Sequence, residues 1–159
     1  MNKIESVEIF KDQSTWRLLA LGAITHGVYH AYYIQRQTAK INTIVGPKDQ
    51  IPISFLNAII VMSYISLILF VAHFAFPKGH PVATIDNIFG NVWGVMVLVW
   101  AFKARNRLNA AFELTTQNSE WFHGLWTFIF SAMYFNYKIN CICEARAEQL
   151  APADSQAFR

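Results

Sequence analysis

His26 and His30 are the residues of this sequence best suited to chemistry, because they lie four positions apart within the apolar stretch Leu18–Ile34. On a helix this spacing puts both imidazoles on one face, where two rings can share a metal ion or face a haem iron. His123, at the start of a later apolar stretch, is placed to complete a site with His30. Two ligands are too few for a zinc site, however, and the stretch holds no Glu or Cys. We therefore treat the pair as weak metal candidates, expect no bound metal, haem or other cofactor, and expect both rings to hydrogen-bond to hydroxyl or amide neighbours.

A second group of polar side chains, Asp86, Asn87 and Asn91, enters the third apolar stretch. Polar groups inside a membrane are costly and therefore mark candidate functional sites. Asp86 also lies near the loop before that stretch, where a carboxylate favours a helix N-terminus. We interpret Asp86 as a helix cap, while all three residues stay polar intramembrane candidates.

Small residues recur at helical spacing in two of the apolar stretches. Ala23, Gly27 and Ala31 are four residues apart in the first stretch, and Gly90 and Gly94 form a Gly-x-x-x-Gly pair in the third. Such stripes let the backbone of another helix approach closely. They predict packing between helices of one bundle, with a dimer interface as the alternative.

Four apolar stretches must position these residues, and they predict membrane-spanning helices over about residues 17–35, 51–76, 84–105 and 120–140. The second stretch holds no charged residue, so a helix there has no polar face to turn toward water. With 54% hydrophobic and 14% charged residues, the chain also has too few charges to coat a soluble globule. The fold class that follows is all-α, a polytopic membrane bundle of four transmembrane helices. An N-terminal interfacial helix precedes it, within a single integral membrane domain over residues 1–159.

The link Pro77–Pro81 holds two prolines and a glycine, which predicts a tight reversal between the second and third spans. With four spans, Asn42 and residues 103–120 lie on one face of the membrane, and Gly79 and the C-terminus lie on the other. The Lys and Arg residues then number seven on one side and six on the other, so they do not orient the bundle. A re-entrant first stretch is the alternative, and it gives nine against four, a clear positive-inside bias.

The segment Ile24–Tyr29 (ITHGVY), followed by Tyr32, Tyr33 and Arg36, resembles the I-T-x-G-[IV]-Y opening of a bacterial membrane family, the domain of unknown function 4234. Near the end of the chain, the segment Asn136–Asn140 (NYKIN) is similar to that family's closing Q-Y-x-x-N, with Asn in place of the usual Gln. Both histidines of the first stretch fall at variable positions of the family pattern. The resemblance implies a helical bundle in the bacterial inner membrane, without known catalytic residues.

These features favour a small non-catalytic membrane protein that acts as an accessory or interaction subunit of a larger membrane assembly. Membrane lipids and other membrane protein subunits are the expected partners. A multi-pass position in the cell membrane is the expected location, and the resemblance implies the bacterial inner membrane. The net charge of +3 includes no basic run outside the membrane flanks, which argues against nucleic acid as a partner. The sequence holds no nucleophile elbow and no phosphate-binding loop, so an enzyme is the less favoured class.

Two other classes stay open at the level of the sequence. An immunity protein against a pore-forming toxin is also small, basic and polytopic, and its gene would adjoin that of its toxin. A redox subunit that binds haem, metal or quinone through His26 and His30 would be recognised by an optical spectrum and a metal analysis of the purified protein.

Overall fold

The computed structural model describes residues 5–77 and 79–150. Throughout this part of the chain the regular structure is helical, and it contains no strand, so the all-α class is confirmed. The helices are α1 (Glu5–Glu8), α2 (Thr15–Ile24), α3 (Val28–Ile44), α4 (Ile53–His73), α5 (Pro81–Ala111) and α6 (Gly124–Leu150), with a 3-10 turn at Pro47–Asp49 between α3 and α4.

Helices α4 and α5 form the long hairpin that the link between them predicts, and they share the most extensive contact of any pair of described helices. Both are long and apolar enough to cross a membrane, with mean hydropathies of 2.4 for Pro47–His73 and 1.5 for Pro81–Ala111. With 21 residues, α4 is about 31 Å long, close to the thickness of a hydrocarbon core. Within the described residues these two helices alone meet both conditions, so four transmembrane helices are not confirmed.

The first predicted span, residues 17–35, is two helices instead of one. Between α2 and α3 the backbone takes positive φ angles at His26 (47°) and Gly27 (90°). Beyond this break α3 runs back beside the start of α2, because Arg36 Nη2 lies 2.9 Å from Asp12 Oδ2. A continuous helix would separate residues 12 and 36 by about 36 Å. Helices α2 and α3 therefore form a hairpin with its tip at the His26-Gly27 step, the arrangement of the re-entrant alternative.

The fourth predicted span, residues 120–140, also turns back on itself. Within α6, Ser131 has φ 45° and ψ −124°, which are not helical values. Arg146 Nη2 lies 2.9 Å from Glu120 Oε1, although a straight helix would separate these residues by about 39 Å. The two limbs of α6, before and after Ser131, therefore form a second hairpin.

The two hairpins bring the polar segments together at one end of the molecule. We call this end the charged end and define it as residues 11–17, 36–50, 103–123 and 136–148. Arg105 Nε donates to the carbonyl of Phe122 over 2.6 Å there. The C-terminal limb of α6 returns to this end, whereas the four-span prediction placed the C-terminus with Gly79 at the opposite end. The described part of the chain differs from that prediction because residues 17–35 and 120–140 each turn back instead of forming one straight helix, and residues 151–159 lie outside the described residues.

The N-terminal segment is packed against the core. Helix α1 is a single turn that contacts α6, and Val7 and Phe10 are buried. Gln37 Nε2 of α3 donates to the carbonyl of Phe10 over 3.1 Å. The predicted interfacial helix is therefore reduced to one described turn, and residues 1–4 lie outside the described residues.

Candidate functional site

Three side chains from α3 and α6 hold the segment that leads into α2, and we call this set of contacts the junction. Asn136 Nδ2 donates to the Gln13 carbonyl and to Thr15 Oγ1, each over 3.1 Å. Asn140 Nδ2 donates to the same carbonyl over 3.0 Å. The Tyr29 hydroxyl donates to Gln13 Oε1 over 2.5 Å. Because Asn136 and Asn140 are one helical turn apart, a single face of α6 fixes the start of α2.

The segment Ile24–Tyr29 builds the tip of the α2–α3 hairpin. Thr25 Oγ1 donates to the Leu21 carbonyl over 2.7 Å and accepts from the Tyr29 N–H over 2.9 Å, so it satisfies backbone groups on both sides of the break. Gly27 has φ 90°, a left-handed conformation that glycine adopts without strain. A Cβ on Gly27 would lie 2.7 Å from the Trp93 ring. The residues that carry the family resemblance therefore have a structural role in the hairpin.

Sequence reasoning missed the buried polar contacts of α3. Trp100 Nε1 donates to Thr38 Oγ1 over 2.7 Å, and Gln37 and Thr38 are both fully buried. The signal that could have identified the buried face is the helical spacing of Ile34, Gln37, Thr38 and Ile41, which continues from the apolar stretch.

Replacing Asn136 with alanine is expected to lower the free energy of unfolding by about 1–3 kcal/mol, because the half-buried Gln13 carbonyl and Thr15 hydroxyl would each lose a donor. Asn136 is only 1% exposed. A thermal melt of the purified protein in mild detergent measures the change. Asn57→Ala, on an exposed face of α4, is the matched control and should shift stability by no more than about 0.5 kcal/mol. Equal stability of the two variants would mean that Asn136 does not hold the segment that leads into α2.

A groove of about 420 Å³ lies beside the hairpin tip, where α2 and α3 meet α4 and α5, and we call it the tip groove. His30 Nε2 is 3.3 Å from the Met133 sulfur of α6, and the His26 ring stacks on Phe70 with 4.2 Å between ring centroids. Trp93 Nε1 is buried and has no hydrogen-bond partner within the described chain. The groove is lined by polar side chains and small residues, among them His26, His30, Ser66, Trp93, Gly22 and Gly90.

The structure does not bring His123 to the other two histidines. His123 is exposed, and its ring lies against Trp121 with 4.5 Å between centroids. The α6 residue beside His30 is Met133 instead. Within the described residues neither ring hydrogen-bonds to the predicted hydroxyl or amide neighbours, since His30 Nε2 lies against the Met133 thioether and the His26 ring stacks on the Phe70 phenyl ring. Among the residues described, no three His, Cys, Asp or Glu side chains are grouped so that they could hold a metal ion.

Asp86 lies in the second turn of α5 and does not cap it. The residue at the N-cap is His80, whose Nδ1 accepts from the Val82 N–H over 3.2 Å. The helix starts earlier than predicted because proline suits its first position. Asn87 and Asn91 are exposed on the same helix, one turn apart.

The small residues that the sequence singles out differ in their surroundings. Gly27 and Ala31 are buried, whereas Ala23 is exposed. A Cβ on Gly90 would have its nearest neighbour, an α4 side-chain atom, at 4.0 Å. A Cβ on Gly94 would meet nothing within 4 Å. Close helix packing at Gly94 would therefore have to come from outside the described chain.

Cys141 and Cys143 of α6 are free thiols. Cys143 is buried, and burial raises the pKa of its thiol, which stays protonated at neutral pH. A buried, protonated thiol is a poor nucleophile. Cys143 therefore supplies no reactive group to the neighbouring junction.

Comparison with known proteins identifies one family whose model matches the chain. No curated protein and no solved structure matches the sequence. The family model of a domain of unknown function, DUF4234, matches residues 13–110, which include the α2–α3 hairpin, the α4–α5 hairpin and the lining of the tip groove. The closing segment Asn136–Asn140 lies outside the match. Since the match covers more than half of the chain, the protein belongs to the DUF4234 family.

Proposed function

We propose that the protein enters the membrane from one side and acts there as a non-catalytic interaction subunit of a larger assembly. In this arrangement α4 and α5 cross the hydrocarbon core, while the α2–α3 and α6 hairpins enter it without crossing. The bacterial inner membrane is the proposed location. Two properties of the surface support the topology, and one face of α5 supports the interaction role.

The distribution of cationic side chains supports entry from one side. Ten of the thirteen Lys and Arg residues are described residues of the charged end, from Lys11 to Arg146. The sequence between α4 and α5 contains one, Lys78. Because Lys and Arg are enriched in cytoplasmic segments, this bias supports a cytoplasmic position of the charged end.

The first limb of α6 supports insertion of its hairpin into lipid. Every apolar side chain from Leu125 to Phe130 is between 47% and 66% exposed. A contiguous exposed surface of large aliphatic and aromatic groups is unfavourable in water and typical of contact with a membrane or another protein. At seven residues before Ser131, the limb is about 10 Å long, too short to cross the hydrocarbon core.

The interaction role rests on one observation, the exposure of Asn87, Asn91 and Gly94 along one side of α5, which we call the α5 face. The three positions fall within about 60° of each other around the helix, since their spacings are four and three residues. Amide groups that face hydrocarbon are costly, and such groups commonly hydrogen-bond to a neighbouring helix. Gly94 would let the backbone of that helix approach closely.

Photo-crosslinking in intact membranes tests this role. A crosslinker at Asn91 is expected to give one discrete protein adduct, and Gly94→Leu should lower its yield about fivefold or more, because overpacking a close contact costs about 1–3 kcal/mol. Val92 is the matched control position, since it is 44% exposed on another side of the same helix. An adduct of twice the mass of the chain would identify a second copy as the partner. Lipid adducts alone at position 91, or equal protein adducts at 91 and 92, would contradict the proposal.

A further inference from the structure

We propose that the tip groove binds the head group of an isoprenoid quinone, a neutral carbonyl-bearing ring on an apolar tail that enters from the bilayer. This inference rests on the membrane topology proposed above and is independent of the α5 face. Three properties of the tip groove support it: its depth in the proposed membrane, its polar groups and its shape.

The tip groove lies in the interior of the proposed membrane. Trp93 precedes Arg105 by 12 residues on α5, which corresponds to about 18 Å along the helix axis. Since Arg105 belongs to the charged end, Trp93 lies close to the midplane of a hydrocarbon core that is about 30 Å thick. The phosphate and ester groups of phospholipids stay at the interface. An uncharged ring on an isoprenoid tail is soluble at this depth.

The polar groups of the groove include hydrogen-bond donors. The side chains of His26, His30 and Ser66 line it. The buried Trp93 N–H has no acceptor within the described residues, and buried indole N–H groups normally have one. No Lys or Arg is among the described lining residues. A carbonyl oxygen therefore suits the groove better than a phosphate, which favours cationic side chains.

Glycines give the groove its shape. A Cβ on Gly22 would lie 1.9 Å from His30 Cε1, so only glycine lets this imidazole reach the backbone of α2. On the opposite wall, a Cβ on Gly90 would have its nearest neighbour, Ser66 Oγ, at 4.0 Å, an ordinary contact distance, so this wall has room for a methyl group. Leu19, which also lines the groove, is 44% exposed, so the groove opens toward the surroundings of the hairpin. Its volume of about 420 Å³ lies within the usual range of small-molecule sites.

Calorimetric titration of the protein in phospholipid nanodiscs with a decyl-substituted benzoquinone tests the proposal. Decylbenzene is the control ligand, because it has the same tail and no carbonyl. We expect saturable binding of one quinone per chain and no saturable binding of decylbenzene. Gly90→Leu should weaken quinone binding at least about tenfold by filling the groove, and Trp93→Phe about fivefold by removing the N–H donor. Gly90→Ala and the exposed-surface variant Val92→Leu should both stay within about twofold of the unmodified protein.

Three outcomes would overturn the proposal. Saturable binding of decylbenzene with equal affinity would mean that the groove accepts any apolar chain. Unchanged quinone binding in a Gly90→Leu protein with normal melting temperature would place the quinone elsewhere. If the Gly90→Leu protein does not fold, an unchanged affinity of the Trp93→Phe protein for the quinone would also mean that the quinone binds elsewhere. None of these variants alters Asn91 or Gly94, so failure of quinone binding and failure of the α5 face are measured separately.

Discussion

Replacing Gly27 with alanine is expected to lower the free energy of unfolding by about 2–5 kcal/mol. The left-handed conformation at this residue, with φ 90°, costs a residue with a Cβ about 1–2 kcal/mol. The new methyl group would also lie 2.7 Å from the Trp93 ring, and such overpacking adds about 1–3 kcal/mol. The measurement is a thermal melt in mild detergent, together with the yield of monodisperse protein. Gly27→Leu should reduce that yield further, because the larger side chain would displace Trp93.

Gly46→Ala is the matched control for this prediction. Gly46 has φ −65°, an ordinary value for alanine, and a Cβ there would meet nothing within 4 Å. Its stability should stay within about 0.5 kcal/mol of the unmodified protein. Equal stability of Gly27→Ala and Gly46→Ala would mean that the hairpin tip is not built as the structure has it.

Cysteine labelling in sealed vesicles is expected to place Asn42, Ser119 and Glu144 on one side of the membrane and Ala75 on the other. The expected effect is close to all-or-none, because a membrane-impermeant maleimide reaches only one side. The reason is the pair of hairpins. Arg146, two residues beyond Glu144, pairs with Glu120, one residue beyond Ser119, and this contact keeps both limbs of α6 at the charged end.

The background for this experiment carries serine at Cys141 and Cys143, so that each labelled protein holds one thiol. Ala75 is an exposed position in the link between α4 and α5, and it avoids the positive φ of 88° at Gly79. The position that decides between topologies is Glu144. Labelling of Glu144 from the same side as Ala75 would restore the four-span bundle and remove the α6 hairpin from the proposed topology.

The sequence by itself determined the elements whose signals are local. The uncharged stretch 51–76 and the two prolines of the link Pro77–Pro81 specify α4 and the reversal that follows it, because helix length and turn chemistry depend on neighbouring residues. Ser14 caps α2 by accepting from the Arg17 N–H over 3.2 Å, and a serine directly before a helix is a local capping signal. The segment Ile24–Tyr29, which carries part of the resemblance to the family, lies within the matched residues 13–110.

The tertiary structure alone decided which apolar stretches form one long helix and which turn back. An apolar stretch of about twenty residues is compatible with one long helix or with two short ones, and Ser131 is not a residue type that breaks helices. The reversals are instead held by partners far away in the chain. Asn136 and Asn140 bind the carbonyl of Gln13 across more than 120 residues, and Glu120 pairs with Arg146. Such contacts follow from the packing of the whole chain, so no local pattern specifies them. The tip groove likewise exists only once the α2–α3 hairpin has packed against α4 and α5.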